Sequence, residues 1–455
     1  MLNAGSDVRS VASRFMSDYG MILALLVLCL FFSWVTWDEQ YPTGAYAGEQ
    51  VARRAAKTHQ KGARVLIVAR TGEKDALFAE AASAHLNEAG LIVVDTVLGQ
   101  PIDARRALVR IFEAAGTIDV IVCTNAAAAW PVLYNADRAI PELLETTLIR
   151  PEPYHWPSFL MASNLLNVAN QIVVIAIIAI GMTLVIVTGG IDLSVGSLIA
   201  LSAVIATVLI RDVSQAGQAG AIGMIVCCAA GILACAAVGT FSGLMVTAFS
   251  IPPFIVTLGM MLVARGLGYI LAEGQSVYQV PESFIWLGRG KAVLGIPISV
   301  VLMAALYVLA HVVMSQTTIG RHVYAVGGNS EAARLSGVPV RRVIVFVYAV
   351  CGGLAGLGGV IQASQLKSGS PTYGLMYELY VIAAVVVGGA SLSGGRGKVF
   401  GTLIGALIIA VIQNGMNLTG VESYTQKIVL GFVILGAVLL DMLKRQDWRI
   451  FRRSR

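Results

Sequence analysis

Residues 318–339 have the sequence TIGRHVYAVGGNSEAARLSGVP, a polar segment with several glycines between two long apolar runs. Asn329 or Ser330 can cap a helix here, and Glu331 falls in the first turn, where a carboxylate complements the helix dipole. Gly337 suits the position that follows the helix, and the proline two residues later prevents its continuation. The segment therefore predicts a helix of about two turns, too short to be stable without a partner surface.

The apolar runs on both sides of this segment reflect the composition of the whole chain. Of its 455 residues, 57% are hydrophobic and only 13% are charged, and the mean hydropathy is +0.77. Soluble globular domains carry about 25% charged residues, so the chain is predicted to be a polytopic membrane protein. The net charge of +6 lies mainly at the membrane edges and in the tail 444–455, which does not favour nucleic acid as a partner.

The apolar runs predict about ten transmembrane helices, near residues 19–36, 167–188, 195–210, 221–246, 254–272, 297–315, 343–363, 376–392, 398–416 and 426–443. The first run also fits a signal peptide, but the small-residue site Ala45–Ala47 lies too far beyond it for ordinary cleavage. We expect an uncleaved first helix after a cytoplasmic lead, together residues 1–37. Threading the helices alternately places residues 38–157 outside and the basic loop 316–342 inside, together with the tail.

Residues 38–157 have a different composition and predict a soluble α/β domain inserted between the first two helices. Strands are predicted at Arg64–Arg70, Leu91–Leu98 and Asp119–Thr124, and helices at Glu73–Ala89, Asp103–Ala115 and Pro131–Leu144. Such alternation indicates βαβ units, a parallel sheet and right-handed crossovers. The predicted fold class is thus an all-α polytopic membrane bundle, residues 158–443, with an α/β insert.

Several motifs resemble one known family. EAARLSG at 331–337 resembles the EAA loop of the membrane subunits of binding-protein-dependent ABC importers. Three further segments are similar to those of ribose, xylose and arabinose permeases. They are TIGRHVYAVGGN before that motif, GGIDLSVGS at 189–197, and ELYVIAAVVVGGASLSGGRGKVFGTLIGAL from Glu378. The resemblance covers about residues 158–443 closely and leaves the insert outside. It implies a permease subunit of an ABC sugar importer in the bacterial inner membrane.

In that family the EAA loop docks on a cytoplasmic ATPase subunit. The resemblance implies that the coupling loop, residues 316–342, transmits nucleotide-driven closure to the bundle through Gly320, Arg321, Gly327, Gly328, Asn329, Glu331, Ala332, Ala333, Arg334 and Gly337. A short capped helix on rigid flanks can act as such a lever. The alternative is a solvated basic connector without a partner.

The chain is not expected to be an enzyme, although SLSGGRGK at Ser391–Lys398 looks like a phosphate-binding loop. No G-x-x-x-x-G-K-[ST] sequence occurs in the chain, and Val399 stands where a Mg²⁺-binding hydroxyl would be. Without that loop nothing holds the β and γ phosphates of ATP. We expect no catalytic residue, metal site or cofactor in this chain, with ATP and magnesium on a partner ATPase, and a tight cytoplasmic turn at 391–398.

Polar residues near the apolar runs are candidates for the translocation path or its gate. Asp192, between two runs, either shapes that path or caps the helix that follows. Asn167, Asn170 and Asn414 carry amides that suit a neutral, hydroxyl-rich substrate because an amide donates and accepts hydrogen bonds without charge. Such amides equally suit hydrogen bonds between helices.

The insert resembles one lobe of a periplasmic sugar-binding protein. Such lobes usually carry Asn-Asp after the third strand, whereas here Asn125 is followed by a run of alanines. A binding protein also encloses its ligand between two lobes, and the insert supplies one. We weigh three roles in this order: a docking or gating domain for a separate binding protein, a degenerate remnant, and a true receptor.

Together these inferences predict a homo- or heterodimeric permease subunit that imports a monosaccharide or related polyol. Its expected partners are the ABC ATPase, a periplasmic sugar-binding protein, a second permease copy or paralogue, and membrane lipid. Both termini would be cytoplasmic and the insert periplasmic. Two alternatives remain: an ion-coupled secondary transporter, which usually has paired ionisable groups in mid-membrane, and a membrane receptor that senses a ligand through the insert.

Overall fold

The computed structural model describes residues 4–114, 117–134, 146–214, 219–292 and 295–453. The chain divides into two compact units. The α/β unit is Trp37–Ser158, and the helical unit is Met1–Thr36 together with Phe159–Arg455. Helix α1 of the helical unit, Ala4–Val35, comes first in the chain.

The α/β unit alternates strands and helices. Its elements are β1 Trp37–Gln40, α2 Ala45–Thr58, β2 Arg64–Arg70, α3 Glu73–Glu88, β3 Ile92–Gly99, α4 Pro101–Glu113, β4 Val120–Cys123, α5 Asn125–Ala128, α6 Pro131–Tyr134, β5 Thr147–Ile149 and β6 Tyr154–Pro157. A parallel sheet has the strand order β3-β2-β4-β5, and β1 pairs antiparallel with β6. Helix α2 and strand β5 were not predicted, and residues 135–144 of one predicted helix lie outside the described residues.

Strand β2 lies in the middle of this sheet because both of its faces are covered. Val65 and Ile67 pack in one apolar cluster with Phe78 of α3, whereas Leu66 belongs to a second cluster with Leu108 of α4. Successive side chains of a strand point to opposite faces, so a strand between two helical layers is apolar at every position. This explains the continuous apolar run VLIVA, residues 65–69, within the strand.

The helical unit continues from residue 159. Its helices are α7 Ala162–Val187, α8 Val195–Asp212, α9 Ala221–Phe249, α10 Pro253–Leu271, α11 Trp286–Arg289, α12 Ile298–Gln316, α13 Thr318–Gly328, α14 Ser330–Leu335, α15 Val340–Leu366, α16 Tyr377–Val387, α17 Val399–Leu418 and α18 Ser423–Arg453. Within the described residues, seven are long and apolar enough to cross a membrane: α7, α8, α9, α10, α12, α15 and α17. Three shorter apolar segments are helical at Gly20–Val35, Tyr377–Val387 and Ser423–Gly436.

Helix α7 is the central helix of this unit. Of its most apolar window, 89% is buried, compared with 17% for α9. It packs against α12, α15, α16 and α17. Helices α9 and α15 approach each other through glycines: a Cβ added to Gly356 would lie 2.9 Å from the Ile232 Cα. Small residues at such positions allow membrane helices to pack backbone against backbone.

Two helices begin after non-helical stretches, residues 188–194 before α8 and residues 367–376 before α16. In the second stretch Gly374 has a positive φ of 67°. Arg265 of α10 donates hydrogen bonds to the carbonyl oxygens of Pro371 at 3.0 Å and Tyr373 at 3.1 Å. Non-helical backbone at membrane depth requires such protein partners because lipid supplies none.

Candidate functional site: the coupling loop and the Asp192 segment

The coupling loop folds into two short helices, α13 and α14. The Asn329 side chain accepts a hydrogen bond from the Ala332 N–H at 3.0 Å and so caps α14. Gly337, with φ of +85°, follows the end of this helix. The predicted two-turn helix is therefore confirmed. Helix α13 was not predicted; it starts at the Thr317 side chain, which accepts a hydrogen bond from the Gly320 N–H at 3.4 Å.

The residues assigned to coupling separate into an outer and an inner set. Exposed are Arg321, Gly328, Asn329, Glu331, Ala332, Arg334 and Gly337, whereas Gly320 and Ala333 are buried and Gly327 is partly buried. Leu335, which the sequence did not single out, is 83% exposed on α14. Ala333 packs into the core of the bundle, so the outer surface of α14 consists of its neighbours.

An exposed ion pair joins Glu331 and Arg334 on α14, with a distance of 2.8 Å between Oε2 and Nη2. The two side chains remain 71% and 67% exposed respectively, so the pair contributes little to stability. Both charges therefore stay accessible at the surface of the loop.

The inner side of the loop meets the bundle at a junction of three backbone segments, Gly327 of α13, Val187 at the end of α7, and Gly395. The Gly395 N–H donates to the Val187 carbonyl oxygen at 2.8 Å. A Cβ added to Gly327 would overlap that same oxygen and lie 2.7 Å from the Gly395 nitrogen. The Tyr324 hydroxyl also donates to the Gly397 carbonyl oxygen at 2.6 Å. We call the contact of Gly327, Val187 and Gly395 the glycine junction.

Residues 188–194, the Asp192 segment, continue from this junction. Asp192 is completely buried, and its Oδ1 accepts hydrogen bonds from Ser194 N–H at 2.9 Å and Ser194 Oγ at 2.6 Å. Its Oδ2 has no hydrogen-bond partner among the described residues. The hydroxyls of Tyr348 and Thr257 donate to the Ile191 carbonyl oxygen at 3.4 Å and 3.3 Å. The segment is thus held by α15 and α10, and Asp192 Oδ1 bonds to Ser194, the residue before α8.

The candidate path amides have different surroundings. Asn414 and Asn164 exchange two hydrogen bonds of 2.9 Å, which link α17 to α7. Asn170 accepts from Ser299 Oγ of α12 at 2.8 Å. Asn167 is exposed. The structure therefore shows interhelical hydrogen bonds for Asn170 and Asn414, the second of the two roles that the sequence allowed.

Comparison with known proteins gives a consistent set of relatives. A family model described as branched-chain amino acid transport system / permease component matches residues 164–438. The ribose import permease protein of Escherichia coli (strain K12) is 44% identical over 293 residues, 64% of this chain and 88% of that protein. The ribose import permease protein of Bacillus subtilis (strain 168) is 45% identical over 290 residues, with 63% and 87% covered.

A further relative is the D-allose transport system permease protein of Escherichia coli (strain K12), 34% identical over 285 residues, 63% of this chain and 85% of that protein. No solved structure matches the chain. The family match includes the coupling loop and the Asp192 segment and leaves the α/β unit outside.

Proposed function

The chain belongs to the permease family of sugar ABC importers, and on this premise we propose that a separate ATPase drives monosaccharide transport through the coupling loop. The observation that carries the proposal is the glycine junction, where α13 touches the last residue of α7 without an intervening side chain. Protein interiors are close-packed and transmit strain. A displacement of the loop is therefore expected to displace the central helix.

The charges of this end of the bundle support a cytoplasmic location. Exposed basic residues of the coupling loop and of the turn that meets it are Arg321, Arg334, Arg341, Arg342, Arg396 and Lys398. Segments rich in Lys and Arg remain on the cytoplasmic side of bacterial membranes. Counting about ten spans from this end gives cytoplasmic termini and a periplasmic α/β unit.

The outer surface of α14 has the chemistry of a protein-binding site. Leu335 is an exposed apolar side chain, and Arg334 beside it offers a guanidinium. Buried apolar anchors and arginines contribute most of the binding energy of typical interfaces. We assign this surface to the ATPase subunit, which would carry ATP and magnesium.

Co-purification in mild detergent tests this assignment. Leu335→Asp and Arg334→Glu are each expected to reduce recovery of the ATPase at least tenfold, on the order of 1.4 kcal/mol of binding free energy. Leu77→Asp is the matched control, because Leu77 is 45% exposed on α3 of the α/β unit. Full recovery of the ATPase with both loop variants would contradict the assignment.

The same preparation separates the alternative transport mechanism. In vesicles that contain the permease, the ATPase and a binding protein, uptake of ribose should require ATP inside and should ignore an imposed proton gradient. Uptake without the ATPase that follows the proton gradient would instead identify an ion-coupled secondary transporter.

We propose that the α/β unit docks or gates a separate sugar-binding protein. The alanine run after Asn125 supports this role over sugar capture: Thr124 caps a helical turn there, and Ala127 and Ala128 are buried in the core of the unit. Arg150 Nη1 donates to Asn125 Oδ1 at 3.4 Å. The position that usually carries the sugar-binding Asp is Ala126, whose side chain cannot hydrogen-bond a sugar hydroxyl.

Replacing residues 38–157 by a short linker tests this role. The deletion is feasible because the residues that flank it adjoin: the Phe159 N–H donates to Thr36 Oγ1 at 3.1 Å. The shortened permease should keep basal ATPase activity in the complex but lose its stimulation by the binding protein. Unchanged stimulation would show that the binding protein docks elsewhere.

A further inference from the structure

A cavity of about 160 Å³ lies among four helices of the bundle. Its polar lining consists of Gln171 of α7, Tyr377 and Tyr380 of α16, Gln413 and Asn417 of α17, and Gln426 of α18. Ile175 completes the lining, and among the described residues none that lines the cavity is charged. Amides and phenols both donate and accept hydrogen bonds, so the walls match a ligand that does the same in every direction.

The cavity lies in the half of the bundle away from the coupling loop. Gln171 precedes the glycine junction at Val187 by sixteen residues of one continuous helix, a distance of about 24 Å at 1.5 Å per residue. Ile175, on the next turn, lies about 18 Å from that end. The floor of the cavity is therefore near the middle of a bilayer whose apolar core is about 30 Å thick.

Besides Asp192 Oδ2, three buried side-chain oxygens have no hydrogen-bond partner among the described residues, and none of them belongs to the cavity lining. The Oε1 of Gln362 is buried without a partner among the described residues. Glu378 follows Tyr377, and its Oε2 is also buried without a partner, against Gly196. The hydroxyl of Ser197, the next residue, has no partner in the described chain either. Leaving such groups unpaired costs about 1–3 kcal/mol each, and the first two are acceptors that need a donor.

We propose that this cavity is a membrane site for one neutral polyhydroxylated solute, a monosaccharide in transit. The inference rests on the proposed import of a monosaccharide and adds the place where the bundle itself holds the sugar. Hydroxyl groups of such a solute match the amide and phenol groups of the walls, which both donate and accept hydrogen bonds. The description of the family model names amino acids, which are zwitterionic. Within the described part of the chain, these walls offer no cationic side chain to pair with the carboxylate of an amino acid.

Equilibrium binding of radiolabelled D-ribose to the full chain in lipid nanodiscs, without other subunits, tests the site. Ribose binding should saturate, D-allose and L-arabinose should compete, and L-leucine should not. Gln413→Leu should weaken ribose binding about tenfold and Tyr380→Phe about threefold, because each removes a hydrogen-bonding group from the wall. Gln275→Leu is the matched control, since Gln275 is an exposed amide outside the cavity.

Each outcome either supports or overturns the site. Tyr380→Phe removes a single oxygen, so it reports on the site even where Gln413→Leu fails to fold. Unsaturable ribose binding, or equal affinity in the wild-type, Tyr380→Phe and Gln413→Leu proteins, would overturn it. ATP-driven ribose uptake by the complete transporter would then leave the proposed function intact. Uptake of leucine and of no sugar would overturn the proposed function instead.

Discussion

Gly327→Ala is expected to uncouple the permease from its ATPase, because the glycine junction has no space for a methyl group. The added Cβ would overlap the Val187 carbonyl oxygen and lie 2.8 Å from the Val187 carbonyl carbon. The next residue provides the control: a Cβ added to Gly328 has nothing within 4 Å. Both substitutions remove a helix-end glycine of the same loop, so they differ mainly in this contact.

The size of the effect follows from the distance that must be gained. Clearing the Val187 carbonyl carbon alone requires a displacement of about 0.6 Å, from 2.8 Å to an ordinary contact of 3.4 Å, and clearing the overlapped carbonyl oxygen requires more. Overpacking of this kind typically costs about 1–3 kcal/mol. This cost is as large as a typical coupling free energy between two sites of a protein. If it destabilises the contact between the coupling loop and the bundle, ATP-driven uptake should fall by about fivefold to 150-fold.

The assay is ribose uptake and ATP hydrolysis by the reconstituted complex, measured on the same vesicles. Gly327→Ala should lower the number of ribose molecules taken up per ATP while the ATPase still co-purifies. Gly328→Ala should retain the wild-type ratio. A wild-type ratio for Gly327→Ala, or an equal loss for Gly328→Ala, would refute transmission through the glycine junction.

Three further predictions concern single contacts. Asn164→Leu and Asn414→Leu should each lower thermal stability in detergent by about 1 kcal/mol. The double variant should lose less than the sum, because each single change removes both hydrogen bonds of the pair and leaves the oxygen of the remaining amide without its donor; additive losses would contradict the pairing. Asp192→Ala should destabilise the protein by about 1–3 kcal/mol more than Asp192→Asn, because the asparagine keeps an oxygen that accepts hydrogen bonds from Ser194. Equal melting temperatures of the two variants would argue against a stabilising role of these hydrogen bonds. Burial raises the pKa of the Cys123 thiol to about 12, so its thiolate is scarce at pH 8. N-ethylmaleimide should therefore label Cys123 only after denaturation, which peptide mass spectrometry would show.

The local parts of the fold could be predicted from sequence because their causes are local. Asn329 accepts a hydrogen bond three residues ahead, and Gly337 adopts a left-handed conformation that suits glycine. Strand Arg64–Arg70 is apolar at its five central positions, residues 65–69, because two helical layers cover them. In each case the residues that decide the structure are neighbours in the chain or repeat with a short period.

Helix α13 could not be predicted because its stabilising contacts are distant in sequence. Gly320, Gly327 and Gly328 lower its helix propensity by about 1 kcal/mol each relative to alanine. Two of these glycines are nevertheless required by close approach, Gly320 to Met314 and Gly327 to Val187. Packing on a residue 140 positions earlier gives no local signal, so the sequence showed only a polar segment with glycines.

The candidate site was predictable by residue type but not by orientation. The side chains of a six-residue helix point in all directions around its axis. The helix is too short for a hydrophobic periodicity that would distinguish buried Ala333 from exposed Leu335. The amides of α7 show the same limit: Asn170 pairs with Ser299, whereas Gln171, the next residue, lines the cavity. Which amide meets another helix and which meets a cavity depends on packing.

The two proposed sites share one rigid connection, helix α7. Its last residue, Val187, takes part in the glycine junction, and its residues Gln171 and Ile175 line the cavity. Hydrogen bonds along a helix resist compression, and burial of 89% of the apolar window fixes α7 against its neighbours. A loop movement that shifts Val187 must therefore be accommodated either at the cavity or by slippage against α15, α16 and α17. Coupling through a buried helix explains why contact at the junction is made by backbone, since flexible side chains there would absorb the movement before it reached the sugar.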